Sequence, residues 1–182
     1  MGYRDYESFR PWLRDEFDFR CGFCLAREVW IKRARAFEID HLIPVSSDLT
    51  LATAYHNLCY TCAHCNAMKH TFPMMDPIEL DLNQHLEVGS DGVAQFRDDT
   101  GQMLIEGLCL NHPDLVRFRR AIIRLTELAK EHDTDLYSEM MGYPENLPDL
   151  STLRPPKGNA KPEGIQDSAL AKRNRGVLPS IY

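Results

Sequence analysis

Long apolar runs are absent from this sequence, and so are the features of a secretion signal. None of its 182 residues lies in a run of about 18 apolar positions, the length that a membrane-spanning helix needs. Residues 1–17 carry charges every few positions and lack an apolar centre, unlike a signal peptide. We therefore expect a cytoplasmic protein with no membrane partner.

Basic charge is scarce as well. The chain has 21 lysine and arginine residues against 27 acidic ones, a net charge of −6, which is unfavourable for a protein that approaches phosphates. The excess is local, because the stretch 76–114 contains nine acids and one base. The remainder is therefore basic by two charges, so nucleic acid is not excluded as a partner. The acidic stretch itself is a candidate surface for a protein partner.

The remaining composition and the periodicity indicate one principal α+β domain with appendages. An apolar content of 43% is enough for one ordinary core of about 100 to 150 residues. Apolar spacing and breaker residues predict two helices and two strands in the first 75 residues: a helix over 6–17, a strand from Phe37 to near Pro44, a strand over 57–60 and a helix over 64–70. From Phe37 to residue 70 the predicted order is therefore strand, strand, helix.

The rest of the chain predicts an extension and a tail. A turn-rich tetrapeptide at 89–92 indicates a β-hairpin, and helices are expected over 100–108 and 113–131. The second of these has Leu115, Phe118, Ile122 and Leu125 on one face and is expected to pack through it. Six prolines and few large apolar residues follow, so we expect an irregular, partly flexible basic tail. The predicted units are 1–75, 76–132 and 133–182.

Four of the six cysteines form two C-x-x-C pairs, Cys21 with Cys24 and Cys62 with Cys65. In a reducing compartment such pairs more often bind metal than form disulfides. Each pair supplies half of a tetrahedral zinc site, and four thiolates leave no open position, so the zinc would be structural. Two redox motifs or two disulfides are the alternatives.

The two remaining cysteines, Cys59 and Cys109, have no partner in a motif. Isolated cysteines commonly act as small buried hydrophobic residues, and we expect both to be buried.

The 37 residues between Cys24 and Cys62 include polar side chains suited to hydrolysis of a phosphate ester. A histidine titrates near neutral pH and can take a proton from water, a carboxylate can bind a hard divalent cation, and an asparagine carbonyl can orient an imidazole. His41, Asp40 and Asn57 offer these groups.

The order of these residues resembles the zinc-containing branch of the HNH endonuclease family. The resemblance rests on Asp40-His41-x-x-Pro44, on Asn57-Leu58, and on a final C-x-x-C followed by Asn66-x-x-Lys69, with another C-x-x-C upstream. It covers about residues 21 to 70. It implies that residues 1–75 form a nuclease domain with a zinc-stapled ββα-metal core.

The resemblance also implies roles for single residues. His41 would be the general base, Asn57 would fix the orientation of its imidazole, and Asp40 would bind the catalytic metal. Asn66 occupies the last motif position, where the family often has histidine, so this is an H-N-N variant. An amide ligand favours Mg²⁺ or Mn²⁺. His70 lies four residues further on and, in a helix, would share a face with Asn66 and serve the same ion.

The expected substrate is DNA. Basic residues near the motif and on the later helix are candidate phosphate contacts, and these are Lys69, Arg33, Arg35 and Arg120. Two rival functions remain: a noncatalytic zinc module that binds nucleic acid or protein, and a metal-dependent hydrolase of some other phosphate ester.

Overall fold

Short helices and two small antiparallel hairpins make up an α+β structure, as the sequence predicts. The computed structural model describes residues 5–31, 36–157 and 165–182. The α-helices are α1 (Arg10–Glu16), α2 (Ala63–Lys69), α3 (Leu82–His85), α4 (Asp99–Gly107), α5 (Pro113–His132), α6 (Thr134–Met141) and α7 (Ala169–Asn174). The strands are β1 (Phe37–His41), β2 (Leu58–Cys62), β3 (Leu86–Val88) and β4 (Ala94–Phe96). Single 3-10 turns lie at Tyr6–Phe9, Glu28–Trp30, Leu49–Leu51, Tyr55–Asn57 and Leu150–Thr152.

The ββα unit expected in the first part of the chain is present. Strands β1 and β2 pair antiparallel with Phe37 opposite Cys62 and His41 opposite Leu58. Helix α2 follows β2 without a gap. The strand β1 ends at His41, before Pro44, because the chain beyond it bends into the loop that carries the 3-10 turns. His41 therefore lies at the end of the hairpin where the connecting loop begins.

The hydrophobic core lies between α1 and this hairpin and continues into the extension. Trp12 and Leu13 of α1 are almost fully buried, as are Leu58 and Tyr60 of β2. Proline at the second position of α1 fits there because the first turn of a helix has no use for that N–H. Leu104 and Leu108, in and just after α4, belong to the same buried cluster, so the β3–β4 hairpin and α4 pack on the ββα unit.

Helix α5 has the predicted bounds to within one residue, but it is less buried than its pattern predicts. Leu115, Phe118 and Ile122 are half-buried as expected, but Leu125 is 44% exposed and Leu128 is 56% exposed. Ala129 is its single buried residue. The helix packs instead against α6. Within the described part of the chain, no helix is both long and apolar enough to cross a membrane.

The described part of the C-terminal segment is largely irregular between its helices, as its prolines predict. It contains α6 and α7, and its apolar residues form a second small cluster around the buried ring of Phe19, with Leu147 and Ala169. Tyr182 packs over the guanidinium of Arg27 at 4.1 Å from ring centroid to Cζ. A few aromatic and aliphatic side chains thus attach this segment to the part of the chain around Phe19, although the composition of the segment is polar.

Asp15 of α1 provides a test of that attachment. Its side chain is buried, and Oδ1 accepts a hydrogen bond of 2.7 Å from the N–H of Ala169, the first residue of α7. Because a hydrogen bond to a charged group stabilises by about 1.5–3 kcal/mol, Asp15→Ala should lower the free energy of unfolding by a similar amount in a urea titration. The exposed Asp135→Ala is the matched control and should change it little. Equal effects of the two substitutions would contradict this attachment.

Candidate functional site

The four motif cysteines converge on one point. Their Sγ atoms all lie within 4.8 Å of one another, and Cys24 Sγ is 3.7 Å from Cys62 Sγ. A tetrahedral zinc site with Zn–S bonds of about 2.3 Å has sulfur–sulfur edges of about 3.8 Å. The cluster therefore has the dimensions to bind zinc. Among the described residues, it is the one group of three or more His, Cys, Asp or Glu side chains close enough for a shared ion.

Local backbone geometry builds the two halves of the cluster. Cys21 begins a tight loop in which its N–H donates to Ala26 O and its carbonyl accepts from Leu25 N–H, with Leu25 at a φ of +58°. Cys62 ends β2, and Cys65 lies in the first turn of α2. A metal on all four would therefore join the loop to the strand–helix junction.

Gly22 is required by a close approach between the loop and β2. Its N–H donates to Tyr60 O at 2.8 Å. A Cβ at this position would come within 2.9 Å of Cys59 Sγ and 2.7 Å of a ring carbon of Phe17. The crowding also explains Cys59, which is fully buried as expected and small enough to face this glycine. The prediction for Cys109 was wrong, because it is exposed and follows α4 in a turn with a φ of +47°.

Arg119 of α5 links the extension to the cysteine cluster. Its guanidinium donates to Gly92 O at 2.6 Å and to Leu110 O at 2.8 Å. Burial lowers the pKa of Arg119, and the nearby Cys24 and Cys65 oppose that shift. A cation in this position offsets part of the negative charge that four thiolates bring to a zinc ion.

The imidazole of His41 is held by a backbone carbonyl. Its Nε2 lies 2.9 Å from Ala52 O, and the ring of Tyr6 packs edge-on against it at 4.9 Å between centroids. Since a carbonyl oxygen can only accept, the hydrogen must be on Nε2. In the neutral ring Nδ1 then carries a lone pair and can accept a proton.

Asp40 and Lys69 fix the backbone on either side of that ring. Asp40 Oδ1 accepts from His41 N–H at 2.8 Å, and Lys69 Nζ donates to His41 O at 2.6 Å. Lys69 Nζ also forms an ion pair of 3.1 Å with Asp40 Oδ2. Burial raises the pKa of Asp40, and the Lys69 ammonium opposes that shift. The expectation that Lys69 contacts DNA is wrong, because its side chain is 1% exposed.

Asn57 acts on the loop rather than on the imidazole. The residue is buried, its Oδ1 accepts from Ile43 N–H at 2.8 Å, and its Nδ2 donates to Ile43 O at 3.0 Å. These two bonds clamp the backbone two residues after His41. The expected direct contact with the His41 ring is replaced by the Ala52 carbonyl, so Asn57 orients the histidine only through the path of the chain.

Asn66 lies on the face of α2 that is turned towards β1. Its Nδ2 donates to Glu38 Oε2, and both residues line an open cavity of about 640 Å³ together with Tyr6 and Arg10. Tyr6 lines this cavity and also packs on the ring of His41, whereas His41 is not among the residues that line it. Glu38 of β1 is thus a partner of the last motif residue.

His70 does not continue the helix. Helix α2 ends at Lys69, and His70 follows with a φ of +48°. Its side chain is exposed, and its Nδ1 lies 3.2 Å from Thr71 Oγ1. The premise that His70 and Asn66 share a helical face was therefore wrong. Asp40, Asn66 and His70 each bond to a different neighbour in the structure.

The structure describes only some of the basic residues that were predicted to contact phosphate. Arg33 and Arg35 lie outside the described residues. Arg120 is exposed on α5, so its side chain is available to a phosphate, although nothing else in its surroundings marks it.

Comparison with known proteins is consistent with this geometry. The family model of the HNH endonuclease matches residues 21–72. Residues 21–72 are therefore similar to an HNH endonuclease domain, and this segment is called the HNH-like region below. The chain is also similar to the Septu protein PtuB of Bacillus mycoides (strain KBAB4), with 26% identity over an alignment of 165 residues that covers 70% of this chain. The match spans 55% of that protein, about half of its length. No solved structure matches the chain.

Three contributors to the HNH-like region were missed or misjudged in the sequence. Lys69 had a usable signal: it lies four residues after the buried Cys65, so helical periodicity turns it towards the interior. Ala52 contributes only its carbonyl, and any residue type has one. Tyr6 lies far from the motif in sequence and reaches His41 only because α1 packs on the hairpin.

Substitution of a cysteine tests the metal cluster of the HNH-like region. Cys62→Ser should remove one of four thiolates and abolish stoichiometric zinc and cooperative unfolding, because binding of structural zinc contributes about 10–16 kcal/mol in model zinc fingers. Cys59→Ser changes another buried cysteine of the same strand that lies outside the cluster. It should keep its zinc, as measured by elemental analysis. Retention of full zinc by Cys62→Ser would contradict the four-cysteine site.

Proposed function

We propose that this protein is a metal-dependent endonuclease that hydrolyses phosphodiester bonds of DNA. The observation that carries the proposal is the state of His41 inside the HNH-like region. Its Nε2 is bonded to Ala52 O, so the hydrogen is on that nitrogen and the lone pair of Nδ1 can accept a proton at the end of strand β1. A noncatalytic zinc module needs the four cysteines but has no use for such a histidine.

His41 acts as the general base in this proposal. Nδ1 takes a proton from a water molecule, which attacks the scissile phosphorus in line with the leaving 3′ oxygen. The Ala52 carbonyl accepts the Nε2 hydrogen throughout and so stabilises the imidazolium that forms. The expected products are a 5′-phosphate and a 3′-hydroxyl.

Asp40 and Asn66 are the residues proposed to hold the catalytic cation. Both offer oxygen, which suits Mg²⁺ or Mn²⁺. Asp40 Oδ1 accepts only the His41 N–H, and a carboxylate oxygen has a second lone pair, so the carboxylate keeps a free acceptor site. A bound divalent cation would supply stabilisation of the charge that develops on the phosphate and on the leaving oxygen.

Groups outside the ββα unit are proposed to contact the DNA backbone. Arg120 is the described candidate, since it is exposed and the segment from 115 to 126 contains no acid. Arg33 and Arg35 stay predictions. The same holds for a protein partner at the acidic stretch 76–114.

A supercoiled-plasmid assay tests the function. The wild-type protein should convert the plasmid to nicked or linear forms in Mg²⁺ or Mn²⁺ and not in EDTA. His41→Ala should lower kcat by about 10²- to 10⁴-fold, the usual contribution of a general base, with unchanged zinc content. The exposed His132→Ala is the matched control and should cut at the wild-type rate.

Two outcomes would overturn the proposal. Cleavage by His41→Ala at the wild-type rate would remove His41 from the mechanism. Metal-independent binding of DNA without any cleavage by the wild type would favour the noncatalytic zinc module.

A further inference from the structure

Lys69 is a buried lysine with no exposed atoms to offer a ligand. It is the last residue of α2, and its side chain is 1% exposed. The other lysines that the structure describes, Lys130, Lys157 and Lys172, are exposed or half-buried. A buried ammonium loses its hydration and is tolerated only when partners replace it. The choice of partners therefore indicates what the residue does.

The partners of Lys69 close a ring around one residue, His41. Starting at His41, the N–H bonds to Asp40 Oδ1, Asp40 Oδ2 pairs with Lys69 Nζ, and Nζ donates back to His41 O. The ring thus joins both backbone polar groups of His41 to one carboxylate and one ammonium. With Nε2 on Ala52 O, the residue is fixed at its N–H, its carbonyl and its imidazole.

We propose that Lys69 is a positioning residue of the nuclease site, which holds the backbone of His41, and through it the imidazole, in the orientation in which Nδ1 accepts the proton. This inference rests on the function proposed above. Lys69 does not touch the substrate, because its ammonium is buried and directed at His41 and Asp40. Its positive charge also offsets the negative charge of the partly buried Asp40 carboxylate.

The geometry explains why the clamp requires a lysine from α2. His41 is the last residue of β1, so its carbonyl lies where strand pairing stops. Helix α2 is anchored by Cys65, and Lys69 is one helical turn beyond that anchor on the same face. The metal cluster therefore sets the position of Nζ, and Nζ sets the position of His41.

The test compares Lys69→Met with Lys130→Met, which makes the same change on an exposed face of α5. In the plasmid assay Lys69→Met should lower kcat by about 10- to 100-fold, as loss of a supporting partner does, with unchanged KM for DNA and unchanged zinc content. Lys130→Met should match the wild type. An unchanged kcat in Lys69→Met would overturn the proposal. So would a raised KM at constant kcat, which is the result expected of a residue that contacts DNA.

A second readout does not depend on activity. Side-chain ¹⁵N NMR of the wild type should show His41, assigned by its loss in His41→Ala, as the Nε2–H tautomer. Lys69→Met should show a mixture of tautomers, and an unchanged spectrum would overturn the inference. If the wild type does not cut DNA, the nuclease proposal fails while this measurement still decides the role of Lys69.

A third variant distinguishes a general folding defect from a local effect of Lys69 on His41. Lys69→Gln keeps a donor for His41 O but removes the charge, and it is measured in the same two ways. If Lys69→Met and Lys69→Gln both lose zinc and cooperative unfolding, Lys69 serves the fold as a whole, and its assignment to the site is wrong.

Discussion

The convergence of four cysteine sulfurs is the constraint on which the rest of the HNH-like region depends. The first pair belongs to a tight loop and the second to the junction of β2 and α2, with 37 residues between them. That intervening chain contains β1, the loop after His41 and most of β2. A metal on all four thiolates closes this segment into one loop, and its binding free energy contributes directly to folding. Short strands that are not part of a wide sheet gain the most stability from such a metal cross-link.

The site that follows from this constraint is built mainly from backbone contacts. His41 is held by the carbonyl of Ala52, its own N–H is held by Asp40, and its carbonyl is held by Lys69. Asn57 clamps the backbone of Ile43 in the same loop. Contacts of this kind leave the chemically active nitrogen free while restricting the path of the chain. A catalytic group held in this way needs little rearrangement before reaction.

The zinc cluster and the order of the ββα unit could be predicted because their signals are local. C-x-x-C spacing determines the bite of each half-site, and Asp40-His41-x-x-Pro44 marks the end of a strand. Helix and strand positions differ from the prediction by one or two residues at most of their ends, where capping rather than periodicity decides the boundary. The β3–β4 hairpin was found from its turn residues alone.

The errors concern contacts between parts of the chain that are distant in sequence. The partner of the His41 ring is a carbonyl, which no residue type encodes, and the role of Asn57 depends on how the loop returns to β2. His70 was misjudged because α2 ends one residue too early for it to share a face with Asn66. The attachment of the C-terminal segment was not predicted because its composition is polar, whereas a few side chains such as Leu147 and Tyr182 attach it.

The measurement that tests this account most directly is X-ray absorption at the zinc edge of the purified wild-type protein. The account predicts one zinc ion per chain with a shell of four sulfur atoms at about 2.3 Å and no nitrogen or oxygen ligand. A mixed shell, or a protein that is folded without any bound metal, would contradict the claim that the four cysteines organise the HNH-like region.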